Sequence, residues 1–134
     1  MKKGYKALLD EANAAIKVVS AAEASTLAQS DDHLLVDIRD VRELAREGKV
    51  PGALHAPRGM LEFWVDPESP YHKEIFASGR SFIFFCAAGW RSALATKTVQ
   101  DMGLGPVMHI DGGFAAWRDA GLPIDMPEPN PAKD

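Results

Sequence analysis

Apolar and polar positions follow two rhythms along this chain, and the switches between them outline an alternating order of helices and strands. In the opening segment Tyr5, Leu8, Leu9, Ala12 and Ile16 recur at spacings of three and four. That spacing predicts an amphipathic helix over residues 1–15, packed on the outside of the domain that follows. "IKVVS" reads as a short strand, and Ser20 with Glu23 makes a capping box that opens a helix through about Gln29. "HLLVDI" predicts a buried strand ending at Asp37, and "DVRELAREGKV" a short helix stopped by Gly48. "PGALHAP" holds another short strand between two prolines, and "RGMLEFWVDPESPYHKEIFASG" is mostly connection, with helical turns around Leu61 and Glu74.

"SFIFFC", residues 81–86, is a continuous apolar run, which predicts a strand buried on both faces of a parallel sheet. Leu94, Ala95, Thr98, Val99 and Met102 then form one face of a helix that starts near Arg91 or Ser92 and stops at Gly103. "VMHI" is the last strand and "GFAAWRDAG" the last helix. Five strands alternating with helices predict a single α/β domain over 16–125, a five-stranded, mostly parallel sheet with helices on both faces. Residues 126–134 are rich in proline and polar side chains, so a loose tail is expected there.

Composition narrows the function classes. A chain of 134 residues, 46% hydrophobic, suits one domain with a real core. The net charge of −4 is scattered, with no basic footprint for nucleic acid. Apolar runs fall far below the ~20 residues that span a bilayer, so no membrane partner is expected. The first residues carry two lysines, then Asp10 and Glu11, without an apolar leader segment. One cysteine allows no intramolecular disulfide and agrees with a reducing compartment, so the chain reads as cytoplasmic.

That cysteine sits in "FFCAAGWRSALA", at the carboxyl end of the buried strand, where open α/β sheets bind their ligands. A lone cysteine is more often a small core hydrophobe. The residues after it argue for chemistry instead. "AAGWRS" combines small side chains with Gly89, letting the backbone curl so that successive N–H groups point inward as an anion nest. The positive end of the following helix converges on the same place. A thiol held there is expected to be a thiolate at pH 7.

"CAAGWRS" resembles the active-site loop of the rhodanese family of single-domain sulfurtransferases, and "IDGGFAAW", residues 110–117, is similar to the Leu-x-Gly-Gly-x-x-x-Trp segment near the end of that domain. "LLVDIRDVRELAREGKVPGALHAPRG", residues 34–59, resembles the family's Val-Asp-x-Arg, Glu, Gly-x-(Ile/Val)-Pro-Gly-Ala-x-(Asn/His)-x-Pro succession in order and spacing. The likeness covers about residues 17 to 124. One departure is Lys49, where the family often has histidine. The opening helix and "RGMLEFWVDPESPYH" also look like those of a single-domain subgroup.

The resemblance implies a two-step transfer in which Cys86 takes the outer sulfur of a donor such as thiosulfate and passes it on from a persulfide. The acceptor would be cyanide or a thiol, with a sulfur-accepting protein as a further candidate partner, and neither a metal nor an organic cofactor would be needed. Electrostatics give the loop an independent reason. At an effective dielectric near 20, a unit charge about 4 Å from the thiolate is repelled by roughly 4 kcal/mol, so a dianion meets about 8. The N–H groups from Ala87, Ala88, Gly89, Trp90, Arg91 and Ser92 offset part of this, and Arg91 and Arg58 are the candidate cations for the donor's oxygens.

Other residues have plainer readings. Asp37, at a strand end, is expected to hold neighbouring loops or an arginine in support of the site. Arg39, Arg42 and Glu43 read as a solvated face with local pairs. Arg58 is either a substrate contact or a surface residue, and Trp90 either lines the pocket mouth or shields the loop. Gly112 and Gly113 read as turn and helix-entry residues. His33, His55, His72 and His109 lack paired ligand spacing, so no metal site is expected. Two other function classes stand beside sulfur transfer. One is a persulfide carrier or signalling module. The other is a cysteine phosphatase or arsenate reductase, which would need the arginine six positions after the cysteine, whereas Arg91 is five after Cys86.

Overall fold

In a computed structural model that describes residues 1–127, five parallel strands form one sheet in the order β1-β5-β4-β2-β3. The strands are β1 (Lys17–Val19), β2 (His33–Asp37), β3 (Leu54–His55), β4 (Ser81–Phe85) and β5 (Val107–Ile110). The loose tail expected over 126–134 falls outside the described residues from position 128 onward.

Strand β4 shows why the apolar run needed two covered faces. Phe82, Phe84 and Cys86 point into a core with Leu61, Val65, Ala95 and Val99, supplied by α4 (Leu61–Val65) and α5 (Trp90–Asp101). Ile83 and Phe85 point the opposite way, against Ala21, Ala24, Phe114 and Trp117 of α2 (Ala21–Leu27) and α6 (Gly113–Asp119). Side chains alternate across a strand, so five successive apolar residues serve both layers. Each phenylalanine so buried contributes on the order of 1.5–3 kcal/mol.

Local signals set the helix ends. Ser20 accepts from the Glu23 amide and the Glu23 carboxylate accepts from Ser20, the capping box the spacing predicts. A second box, Asp40 with Glu43, opens α3 (Val41–Glu47). The first helix, α1 (Tyr5–Ala15), lies on α5: Ala12 and Ile16 pack against Ala93, and Gln100 donates to the Ala15 carbonyl at 2.8 Å.

The strand order decides where chemistry can occur. From β2 the chain steps outward to β3, then returns to place β4 on the other side of β2 and β5 beyond it. The carboxyl ends of β2 and β4 therefore flank the point where the winding reverses, leaving a crevice that no crossover covers. Asp37 ends β2 and pairs in register with Phe85, and Cys86 is the next residue. No helix among the described residues is long and apolar enough to cross a membrane.

Candidate active site

Cys86 is 1% exposed, and its sulfur is wrapped by the loop that follows it. The Gly89 N–H donates to Sγ at 3.2 Å and the Ser92 N–H at 3.3 Å, while the thiol faces the Ser92 hydroxyl at 3.5 Å. Gly89 makes the curl possible: its φ of +103° is a left-handed conformation that side chains resist. It is also the N-cap of α5, which begins at Trp90, one residue earlier than the spacing suggested. Backbone donors and the positive end of a twelve-residue helix thus meet at one sulfur, an arrangement that stabilises negative charge there.

The loop is held from behind by α6. Phe114 N–H donates to the Cys86 carbonyl at 2.8 Å and Ala115 N–H to the Ala87 carbonyl at 3.1 Å. Turning these carbonyls away leaves the N–H side facing the sulfur. Gly113, at φ +57°, permits the approach, since a side chain there would strike the Cys86 carbonyl oxygen. Ala87 is half-buried and Ala88 exposed, so the first two residues after Cys86 present only methyl groups.

Asp37 lies behind this arrangement. Its carboxylate accepts from the Arg39 amide at 3.0 Å, from Nε at 3.1 Å and from Nη2 at 2.8 Å. Arg39 is not part of a solvated face: it is fully buried, donates to the Gly48 carbonyl at 2.9 Å, and lies 4.0 Å over the Phe114 ring. The expectation failed because Arg39 stands in the short link between β2 and α3, where neighbouring charges in sequence do not show the depth at which a strand end opens into the crevice. Asp37, Arg39 and Phe114 form a packed column that ends at the Cys86 carbonyl.

Glu43 also departs from the local-pair expectation, whereas Arg42 keeps to it by bonding Asp40. Glu43 is bound in a two-pronged pair by Arg91, Nη1 and Nη2 each 2.9 Å from a carboxylate oxygen, 48 residues away in sequence. The same carboxylate closes the α3 capping box. An Asp-x-x-Glu signal at positions 40–43 was therefore legible, but its second duty was not. Arg58 is likewise paired, to Glu62 at 2.6 Å. Trp90 is 60% exposed and stacks on Tyr5 of α1, ring centroids 5.1 Å apart. An open concavity of about 410 Å³ lined by Asp40, Arg42, Glu43, Arg46 and Arg91 adjoins the loop.

The pairing has a pH consequence. The Arg91 guanidinium, with the Asp40 amide, holds the Glu43 carboxyl at about 2 instead of its ordinary 4.5. Arg91 is raised in turn, chiefly by Glu43, with the charge of Cys86 adding to the effect. A depressed carboxylate stabilises the fold above its unfolded value, and that contribution is lost as pH falls through the folded value. Stability should therefore decline from about pH 4.5 to about 2. Asp40 is lowered to about 2 by Arg42 and titrates over the same range. Comparing wild type with Glu43→Gln cancels that contribution. The expected result is a urea midpoint lower in the variant near neutrality, with the gap closing by about pH 2. A gap that stays constant with pH would show that the Arg91 pair adds no stability.

One site residue carried no functional signal in sequence. His109, in the middle of β5, is 2% exposed, and its Nδ1 lies 3.0 Å from Ser92 Oγ. Only the odd polar letter in "VMHI" marked it. His55 and His72 bond to the carbonyls of Arg39 and Trp64 respectively.

Comparison with known proteins agrees with this geometry. The family model for the rhodanese-like domain matches residues 20–120. A sulfurtransferase of Allochromatium vinosum is 33% identical over 112 residues, which cover 84% of this chain and 96% of that protein. Among solved structures, a Rhodopseudomonas palustris protein of unknown function, described as a possible tyrosine phosphatase, matches with a TM-score of 0.90. It is 57% identical, over 93% of this chain and 96% of that one. The polysulfide-sulfur transferase homodimer of Wolinella succinogenes matches with a TM-score of 0.70 and 30% identity, over 92% and 88%. With its cysteine at the winding reversal of a five-stranded parallel sheet and the family's model matched across the sheet, this chain belongs to the rhodanese-like domain family.

Proposed function

We propose that the protein is a sulfurtransferase in which Cys86 carries sulfane sulfur from an anionic donor such as thiosulfate to cyanide or a thiol. One observation carries the reading: the Cys86 sulfur sits at the focus of the Gly89 and Ser92 amides at the start of α5. In the first step the thiolate attacks the outer sulfur of thiosulfate. The S–S bond of the donor breaks and sulfite leaves with the electron pair, so a Cys86 persulfide anion remains. In the second step cyanide or a thiolate takes the terminal sulfur, and Cys86 departs as thiolate. Neither step as written calls for a metal or an organic cofactor.

The charge balance differs from the expectation built on free arginines. Arg91 and Arg58 each bind a carboxylate, so much of the donor's charge must be met by backbone N–H groups and the helix end. Arg91 stands beside the loop as the cation that a donor's oxygens would share with Glu43, and Arg58 is a weaker candidate, turned to its own helix. A buried sulfur favours a small donor. A polysulfide is the second donor class, supported by the likeness to the Wolinella succinogenes protein. The lone thiol suits a reducing, cytoplasmic setting. The phosphatase possibility attached to the Rhodopseudomonas palustris relative is disfavoured here, since Arg91 is one residue nearer the cysteine than a phosphate loop requires and is engaged by Glu43.

Mass spectrometry after a short exposure to thiosulfate tests this reading. Cys86 is expected to gain one sulfur atom and to lose it on adding cyanide. An unmodified thiol, or faster hydrolysis of an aryl phosphate than transfer of sulfur, would overturn it.

A further inference from the structure

A file of polar side chains, buried at Cys86, Ser92 and His109 and reaching the surface at Asn13, runs from the Cys86 sulfur to the helix that precedes the matched family region. Ser92 Oγ lies 3.5 Å from Cys86 Sγ and 3.0 Å from His109 Nδ1, and His109 Nε2 lies 3.1 Å from Asn13 Oδ1 of α1. Cys86, Ser92 and His109 are at most 2% exposed. Asn13 lies outside residues 20–120, the span of the family match.

The hydrogens in this file have a direction. The Asn13 amide oxygen only accepts, so His109 Nε2 must donate. In a neutral ring Nδ1 then accepts, and the Ser92 hydroxyl is its donor. The Ser92 oxygen is left to accept from the Cys86 thiol. Each group passes its hydrogen one step away from the sulfur. A histidine placed there only for packing would need partners, but not partners aligned on the one nucleophile of the chain.

The groups around His109 favour a neutral ring, which leaves Nδ1 free to accept the Ser92 hydrogen. In register, β1 offers Val18 and β4 offers Phe84, both apolar. From α1 comes Asn13 and from α5 Ser92, both neutral. Asp111, just past β5, is the charged group acting on the ring and favours protonation, while burial pushes it more strongly the other way. Arg91 acts on Cys86 itself.

We propose that Ser92, His109 and Asn13 form a relay that takes the thiol proton from Cys86, making α1 a working part of the active site. This deepens the sulfur-transfer reading and rests on Cys86 being its nucleophile. The proton moves from sulfur to Ser92 Oγ as the Ser92 hydrogen moves to His109 Nδ1. That leaves a thiolate and an imidazolium, with Nε2–H still bonded to Asn13. After the acceptor has removed the sulfane sulfur, the same proton returns to the Cys86 thiolate, so no external acid or base is consumed. Ser92, His109 and Asn13 are positioning residues in this scheme, since they act through Cys86.

Alkylation of Cys86 by iodoacetamide, followed against pH, reads the thiolate without requiring sulfur transfer. His109→Gln keeps an acceptor and a donor for its neighbours but cannot take up the proton. Ser92→Ala cuts the relay and leaves the ring in place. In both, alkylation near pH 7 is expected to fall about tenfold, with the deficit closing at a pH about two units higher where hydroxide ionises the thiol. Asn13→Asp, which strengthens the base, should hold or raise the rate near pH 7. Thermal melts identify which variants are folded, and Ser92→Ala decides the matter if His109→Gln is not. An unchanged pH profile in a folded variant, or a loss equal at every pH, overturns the relay. Thiosulfate turnover of wild type, measured in parallel, judges the sulfur-transfer reading on its own.

Discussion

Cys86→Ser is expected to reduce transfer of sulfur from thiosulfate to cyanide by more than about a thousandfold while the protein stays folded. The substitution exchanges one atom in a buried position, and the Gly89 and Ser92 amides that now meet sulfur can donate to a serine oxygen instead. The backbone of the loop does not depend on the thiol, because Phe114 and Ala115 hold its carbonyls from behind. What disappears is the chemistry. A hydroxyl in this position stays protonated near neutrality and cannot hold a sulfane sulfur, so neither half of the cycle can proceed. Steady-state assays beside a thermal melt give the answer. Appreciable turnover by a folded Cys86→Ser protein would remove the residue from the mechanism.

The largest effect on stability should come from Arg39. Its guanidinium is fully buried and makes a 2.8 Å pair with a carboxylate, Asp37, whose side chain is 2% exposed. Removing one partner of such a pair leaves the other charge in a poorly solvating interior, which costs about 3–5 kcal/mol. Arg39→Met is therefore expected to lower the urea midpoint sharply. The Phe114 ring also loses the guanidinium that lies over it, so the α6 amides should hold the Cys86 loop less firmly. Replacing both partners, as Asp37→Asn with Arg39→Met, should recover part of the loss because no lone charge stays inside. Arg42→Ala is the contrast. Its ion pair with Asp40 is exposed to water and should hardly move the midpoint. Similar midpoints for Arg39→Met and Arg42→Ala would show that the buried column is not what holds the crevice.

Much of this architecture could be read before any coordinates. Residues 81–85 contain no polar side chain except Ser81, and such a run is comfortable only with both faces covered, as β4 is. The capping pair Ser20 and Glu23 placed the start of α2 because both partners lie within one turn. Cys86 was conspicuous because it follows such a strand and precedes small residues and a glycine. These inferences depend on periods and contacts over a few residues, and a sequence displays those directly. The Arg39 expectation failed for the same reason in reverse: its periodic environment resembles a surface, but its depth depends on α6, which arrives 75 residues later.

What the sequence by itself determined about this protein is therefore its alternating elements, the two-faced central strand and the curled loop that follows Cys86. The tertiary structure alone decided which distant groups gather around the Cys86 loop. Arg91 meets Glu43 across 48 residues and His109 meets Asn13 across 96. The physical cause is the winding of the sheet: reversing direction between β2 and β4 brings α3, α5 and α6 to one crevice, while α1 packs along α5. Hydrogen bonds reach only about 3 Å, so they form where packing has already brought two elements together. Local pattern marks the elements, but the crossovers choose which of their polar side chains face each other.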